Sequence, residues 1–165
     1  MNNIFGLLLL ILFGGAGLIS IFVIVNLLLP VPVARTRAAL ETSLGRSLLL
    51  GLVNDLFAFV LVAGLLWLAQ QVGGGVVAGI LGLLALLVLL IVGLLSLLGL
   101  AALSNVLGMR IGQSGINSVT RGSVLLLLSG LTPYLGWFIV TPLIVWTALG
   151  AAIQAVVQKK TISAS

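Results

Sequence analysis

The chain has 165 residues, of which 62% are hydrophobic and only 5% are charged. Soluble domains are about 45–50% apolar and about 25% charged, so this composition excludes a soluble fold and predicts one membrane-embedded unit. The net charge of +5 comes from cations that are spread over short segments. A nucleic-acid surface needs a clustered basic face, so we interpret the cations as topology signals and expect no nucleic-acid partner.

The residue inventory leaves little material for catalysis. The chain has no cysteine and no histidine, which removes disulfides, thiolate chemistry, and metal or haem ligation by either residue. Its only acids are Glu41 and Asp55, and no pattern in the sequence brings the two carboxylates together. We therefore expect a non-enzymatic protein with no catalytic residue, no cofactor and no metal site.

The first apolar run, residues 4–29, is long enough for a transmembrane helix and ends at a "PVP" motif. It starts without Lys or Arg and is too long for a signal peptide, so we interpret it as a retained span. The segment 33–47 follows, with apolar residues at roughly helical spacing and the cations Arg35, Arg37 and Arg46. This pattern predicts a short amphipathic helix at the cytoplasmic interface, in contact with lipid.

A second span is predicted at 48–69 and a third at 76–107, joined by a short uncharged turn. The third would be about 48 Å long as a helix, which exceeds the roughly 30 Å of hydrocarbon and requires tilt or a projecting end. The polar loop after it, 108–123, contains Arg110 and Arg121. Loops that carry Lys and Arg stay cytoplasmic, so this loop lies on the same side as the first arginine segment.

The last apolar block, residues 124–157, contains "LTPYLGWFIVTPL", with prolines and aromatic residues in its middle. One continuous span would put Lys159 and Lys160 outside, whereas a hairpin that turns at "TPY" puts them inside with the other cations. We therefore predict spans at 116–132 and 134–157. The fold is then an all-α membrane bundle with five transmembrane helices, an external N-terminus and a cytoplasmic C-terminus. Four crossings are the alternative, and a half-length re-entrant arm is a variant of the hairpin.

Four polar residues share one depth near the cytoplasmic ends of the first three spans: Asn26, Asn54, Asp55 and Asn105. Polar side chains in lipid seek one another, so we expect a structural cluster that ties the three spans together. Asp55 is ionisable within a span, which makes a proton or cation site the alternative. The outer halves of the second and third spans are apolar, and this argues against a polar pathway across the membrane.

Small residues recur at four-residue spacing, which lets membrane helices approach closely. The pairs are Gly75 and Gly79, Ser104 and Gly108, Gly108 and Gly112, and Ala148 and Ala152. This spacing indicates helix packing, either within the bundle or against another subunit.

Several sequence features from residue 30 onward resemble a known bacterial module. An "R-x-R-x-A-L" pattern occupies residues 35–40, "SLLLGLV" follows at 47–53, and "LLLLSGLTPYLGWFIV" and "ALGAA" come late in the chain. Together they resemble the small helical membrane module associated with bactofilin-type polymer-forming proteins. The resemblance implies four membrane helices after the arginine segment, the last two forming a hairpin at Pro133, in a bacterial inner membrane. It implies no catalytic residue.

The expected function is that of an accessory, assembly or anchoring subunit, in a larger membrane complex or in a homo-oligomer. Its partners would be membrane lipid and other membrane subunits. Besides the first three arginines, Arg110, Arg121, Lys159 and Lys160 are the expected lipid or cytoplasmic contacts. The alternative is a small transporter or channel that uses Asp55.

Overall fold

The computed structural model describes the backbone of residues 2–162 and the side chains from residue 5 to residue 157, residue 7 excepted. Within this range the chain is helical and has no strand, so the predicted all-α class is confirmed. The helices are α1 (Asn2–Leu28), α2 (Pro30–Thr42), α3 (Leu44–Gln71), α4 (Val76–Arg110), α5 (Gly115–Leu131) and α6 (Thr141–Ile162), with a π-helical segment at Gly136–Val140.

Four helical segments are long and apolar enough to cross a membrane: Leu8–Leu28, Leu44–Gln71, Val76–Arg110 and Gly136–Val157. A multi-pass membrane protein is therefore the architecture that the helices support. At 17 residues, α5 is about 25 Å long, which is slightly less than the roughly 30 Å of hydrocarbon. The fifth crossing consequently stays a prediction.

The segment between the first two spans forms a helix, α2, but this helix differs from the interfacial helix that the sequence predicts at 33–47. Pro30 starts α2, where its missing N–H is no loss because the first turn of a helix has no intrahelical acceptor for it. The helix ends at Thr42, and α3 already begins at Leu44. The buried face of α2 packs on α4 and α6. Its members are Val33, Thr36, Ala39 and Leu40. The amphipathic pattern thus reflects protein packing, and only the arginine face is left for lipid or water.

The helices alternate in direction, apart from α2. Residues 72–75 reverse the chain between α3 and α4. In α3, Ser47 lies beside Gly150 and Gly51 lies beside Trp146, so α3 and α6 run antiparallel. The same reasoning applies to α4 and α5, where Gly108 lies beside Ser118 and Ser104 lies beside Gly122. It follows that α4 and α6 are parallel and that α5 runs against both.

The bundle core is built from small residues rather than large ones. A Cβ atom added at Gly51 would overlap the backbone carbonyl of Trp146, and one added at Gly150 would overlap that of Ser47. Gly108 and Gly122 meet the opposite backbones of α5 and α4 in the same way. Only residues without a side chain fit at such contacts, so these two helix pairs reach nearly the closest backbone separation that helices allow.

The chain turns sharply between α5 and α6, at residues 132–135. Tyr134 adopts a positive φ of 64°, and Gly136 lies against the Ser129 carbonyl, where a Cβ atom would be only 2.6 Å away. Pro142 cannot donate a hydrogen bond to the carbonyl four residues before it. The segment just before it is π-helical, with the Thr141 N–H bonded to the Gly136 carbonyl. The continuous last helix is therefore absent, and the block folds as two antiparallel arms on α4.

The α3–α4 hairpin extends beyond the α5–α6 turn. Gly99 of α4 faces Ala148 of the parallel helix α6. The π-helical segment begins 12 residues before Ala148, whereas α4 begins 23 residues before Gly99. The tip of the α3–α4 hairpin therefore projects about 11 residues, or roughly 16 Å, past the turn.

Candidate functional site

The polar residues expected to form one cluster separate into two groups. In the first, the Asn105 amide donates to Asn26 Oδ1 at 3.1 Å, and the Asn26 amide donates to the Ala101 carbonyl at 3.0 Å. The Ser118 hydroxyl donates to Asn105 Oδ1 at 3.1 Å. This network joins α1, α4 and α5 near the arginine-bearing end of the bundle.

The second group lies between α3 and α6. The Trp146 indole N–H donates to Asp55 Oδ2 at 3.0 Å. The Asn54 amide donates to the Leu50 carbonyl of its own helix. Among the described side chains, neither Asn54 nor Asp55 makes a polar contact with Asn26 or Asn105. The prediction of one four-residue cluster is therefore wrong. The reason is that α3 packs its polar face on α6 rather than on α1.

Two polar contacts in this region do not follow from the sequence pattern. Gln154 is 8% exposed, and its amide donates to the Ser47 hydroxyl at 3.3 Å. Trp146 lies mid-span in the last helix, and its indole N–H donates to Asp55. A buried Gln opposite a Ser of a small-residue helix face, both within apolar segments, is the signal that could have indicated the first pair.

A polar cavity of about 450 Å³ opens between α1, α2, α4 and α5, at the end of the bundle that bears the arginines. Its polar lining consists of Asn26, Arg37, Asn105, Gln113 and Ser114. Its apolar lining includes Val23, Leu27, Ile116 and Val119. We call it the Arg37 cavity, because Arg37 is the one charged residue among the lining residues.

Arg37 is held at the cavity by weak contacts. Its Nε lies 3.6 Å from Glu41 Oε1, the one ion pair found among the described side chains. Nη1 donates to Met109 Sδ at 3.3 Å, and Nε is buried without a hydrogen-bond partner in the described part of the chain. A guanidinium carries five N–H donors, so most of its donor capacity is free for another acceptor.

The other residues predicted to contact lipid or the cytoplasm are distributed over the surface of the arginine-bearing end of the bundle. Arg35, Arg46, Arg110 and Arg121 are exposed and do not converge with Arg37 on the cavity. The side chains of Lys159 and Lys160 lie outside the described residues. The exposed arginines suit contact with anionic lipid or the cytoplasm, each with about 1 kcal/mol of attraction near a charged membrane surface.

The predicted packing residues behave in three ways. Ala148 and Ala152 are completely buried, and Gly108 is at the α4–α5 contact. Gly112 adopts a positive φ of 78° in the loop after α4, so its glycine is required by the turn and not by packing. Gly75 caps α4 with a φ of 88°, and a Cβ atom added at Gly75 or Gly79 would have no neighbouring atom within 4 Å.

The seam between α1 and α5 continues beyond the Arg37 cavity as an apolar groove. Phe22 is buried against Val119 at the boundary between them. The groove has a volume of about 620 Å³ and is lined by residues such as Ile11, Ile19 and Leu127. A polar cavity and an apolar groove therefore follow one another along the same helix pair.

No known family model, characterised protein or solved structure matches this chain. The resemblance to the bactofilin-associated module therefore stays a prediction. The residues described above can supply hydrogen bonding, charge attraction and close helix contact.

Proposed function

We propose that the chain is a non-enzymatic multi-pass membrane protein that acts as an accessory, assembly or anchoring subunit, in a larger complex or a homo-oligomer. The observation that supports this role is the distribution of glycine along the α3–α4 hairpin. Glycines at its inner end make the closest helix contacts of the bundle, whereas several in its outer part meet no neighbour within 4 Å. These are Gly64, Gly79, Gly82 and Gly93. The outer part thus presents the same kind of helix-packing surface, uncovered.

We further propose five crossings in a bacterial inner membrane, with the N-terminus outside and the C-terminus in the cytoplasm. The alternating helix directions support this topology, because α5 runs against α4 and α6. The exposed cations Arg35, Arg46 and Arg110 support it too, since one side then holds them all. The bactofilin-module resemblance also leads to five helices and a bacterial membrane.

The five-crossing topology creates a need for a partner. With the α5–α6 turn at the outer interface, the apolar tip of the α3–α4 hairpin extends roughly 16 Å further. Trp67 and Val76, near the tip, are 60% and 80% exposed. Apolar surface of this size in contact with water is unfavourable, and a second subunit packed on the exposed glycines would cover it.

The experiment is extraction into native nanodiscs or mild detergent, followed by mass measurement of the particle. We expect an assembly larger than the 17.0 kDa monomer. A Gly79→Leu, Gly82→Leu double variant should release the monomer, because leucine side chains prevent close helix approach. Gly17→Leu is the matched control, since Gly17 is equally open but lies on α1. A monomeric wild type, or a double variant that assembles like the wild type, contradicts the proposal.

The second candidate function is a small transporter or channel that uses Asp55. Its support is the position of this carboxylate, half-buried between α3 and α6 with one hydrogen bond from Trp146. An ionisable residue within a span is costly to insert, which is why such residues are often functional. The variant that separates the two functions is Asp55→Asn, because it removes the charge and keeps the shape of the side chain.

A further inference from the structure

We propose that the Arg37 cavity binds a phosphate-bearing anion, and that the source which best fits its lining is the headgroup of an anionic phospholipid. Such a site is additional to the subunit role and would exist whether or not the chain has a protein partner. The charge of the cavity is the first observation. Arg37 is the one ionisable residue among the lining residues, and Glu41, whose carboxylate lies 3.6 Å from Arg37 Nε, is not one of them.

The donors and acceptors of the lining are unequally used. The amide N–H groups of Asn26 and Asn105 donate within the Asn26–Asn105–Ser118 network and to backbone carbonyls. They form a fixed polar wall. The Arg37 guanidinium, by contrast, makes one hydrogen bond among the described residues, from Nη1 to a thioether sulfur, while its Nε lies on the Glu41 side. Its unused donors match the oxygens of a phosphate group, which guanidinium binds in a bidentate manner.

The opposite wall adds neutral donors. The side chain of Gln113 is half-buried in the cavity, and Ser114 precedes α5 without capping it through its side chain. The Ser114 hydroxyl is therefore free to donate to a ligand. Gly115 and Ile116 complete this side of the lining. These groups face Arg37 across a space of about 450 Å³, which has room for a headgroup.

The apolar part of the lining favours lipid over free phosphate. Val23, Leu27, Ile116 and Val119 share the cavity with the polar groups. Beyond Phe22 the same α1–α5 seam becomes the apolar groove. A free phosphate ion gains nothing from contact with these apolar side chains. A phospholipid, by contrast, can place its phosphate near Arg37 and its acyl chains along the α1–α5 seam.

The test uses the full chain in nanodiscs of mixed phosphatidylglycerol and phosphatidylcholine, with retained lipid identified by native mass spectrometry. We expect the wild type to retain phosphatidylglycerol over phosphatidylcholine by about fivefold or more, which corresponds to one cation at the membrane surface. Arg37→Gln should lower this preference about fivefold, to the level that the exposed arginines alone give. Arg121→Gln is the matched control, because Arg121 is exposed on α5 and lies outside the cavity.

Ser114→Asp separates binding from folding. Aspartate is a good residue before a helix start, so this variant should fold at least as well as the wild type. Its carboxylate nevertheless repels an anion in the cavity, and the lipid preference should fall. Ser114→Asn, which is neutral and also caps helices, should retain the preference. This pair keeps the test decisive even where Arg37→Gln fails to fold.

A second arm distinguishes the two sources of phosphate. Inorganic phosphate is titrated into delipidated protein in detergent while thermal stability is measured. Stabilisation of the wild type but not of Ser114→Asp, without any lipid preference, would assign the cavity to the free ion. Equal lipid retention by wild type, Arg37→Gln and Ser114→Asp, with no stabilisation by phosphate, would overturn the proposal.

Discussion

Asp55 illustrates how one hydrogen bond changes the interpretation of an intramembrane acid. From its position in the sequence, the expected structural role is membership of a cluster with Asn26, Asn54 and Asn105. Its hydrogen-bond partner is instead Trp146, which donates through its indole N–H. The indole N–H is a neutral donor, so the α3–α6 contact at Asp55 is a hydrogen bond and not an ion pair.

The substitutions Asp55→Asn and Asp55→Leu should therefore have different effects on stability. Asp55→Asn keeps an oxygen acceptor for Trp146 and should change the free energy of unfolding little. Asp55→Leu leaves the buried N–H unpaired and should destabilise the protein by about 1–3 kcal/mol. Both are measured by thermal or SDS-induced unfolding of the purified protein.

The same variants test the transport alternative. As a subunit, the Asp55→Asn protein should assemble normally and show no difference in proton or cation flux in liposomes. A specific flux in the wild type that Asp55→Asn abolishes, with assembly unchanged, would instead support the transporter.

Sequence reasoning finds the depth of the polar residues but not their neighbours. The expected contact between Asn26 and Asn105 is present, because they lie at the same ends of neighbouring spans. Asn54 and Asp55 lie at a similar depth on α3 but face a different helix. Depth follows from counting residues from a charged loop, whereas rotation about the helix axis depends on tertiary packing.

At the scale of the element, glycine has opposite roles along a single helix. Gly51 of α3 lies against the Trp146 carbonyl, whereas Gly64 of the same helix has no atom within 4 Å. Periodicity alone could not separate them, since both are glycines in an apolar segment. The neighbouring helix makes the difference: the backbone of α6 lies against Gly51, whereas no atom of another helix lies near Gly64.

Alanine substitution should therefore act with opposite signs at the two positions. Gly51→Ala places a methyl group inside the Trp146 backbone and should destabilise the protein by about 1–3 kcal/mol. Gly64→Ala meets open space and should stabilise the helix by about 0.5–1 kcal/mol. Unfolding of the two variants in the same detergent checks this. Equal effects would show that α3 and α6 do not approach at Gly51.

The α2 segment shows the limit of amphipathic patterns. Its apolar spacing predicts a helix correctly, but the same spacing fits lipid contact and protein contact. Thr36 is completely buried, which identifies protein as the environment of this face. The sequence offers no basis for the choice, because both environments are apolar.

At the scale of the whole molecule, composition, hydropathy and the placement of the charges together predict the order of the helices. The predicted spans at 48–69 and 76–107 lie within α3 and α4, and the break in the last apolar block falls at the predicted turn. Which helices lie side by side in the bundle cannot be predicted from these features. Which helices pair depends on where the small residues of one helix meet those of another, as Ser104 and Gly108 meet Ser118 and Gly122.

The membrane depth of the α5–α6 turn is the feature on which the whole topology depends. Five crossings place Tyr134, which is 80% exposed, at the outer interface. A re-entrant hairpin of α5 and α6 would instead bury the turn in the hydrocarbon. The tip of the α3–α4 hairpin is the outermost point in both arrangements, so it is the exposure of Tyr134 that separates them.

The most direct measurement is site-specific labelling with a membrane-impermeant maleimide, which the absence of native cysteine makes free of background. Single cysteines are placed at Tyr134, at Gln71 near the hairpin tip, and at Thr42 on the arginine side. Five crossings predict that Tyr134→Cys and Gln71→Cys are labelled from outside, and that Thr42→Cys is labelled only after the membrane is permeabilised. External labelling of Gln71→Cys with Tyr134→Cys unlabelled from either side would contradict the five-crossing topology.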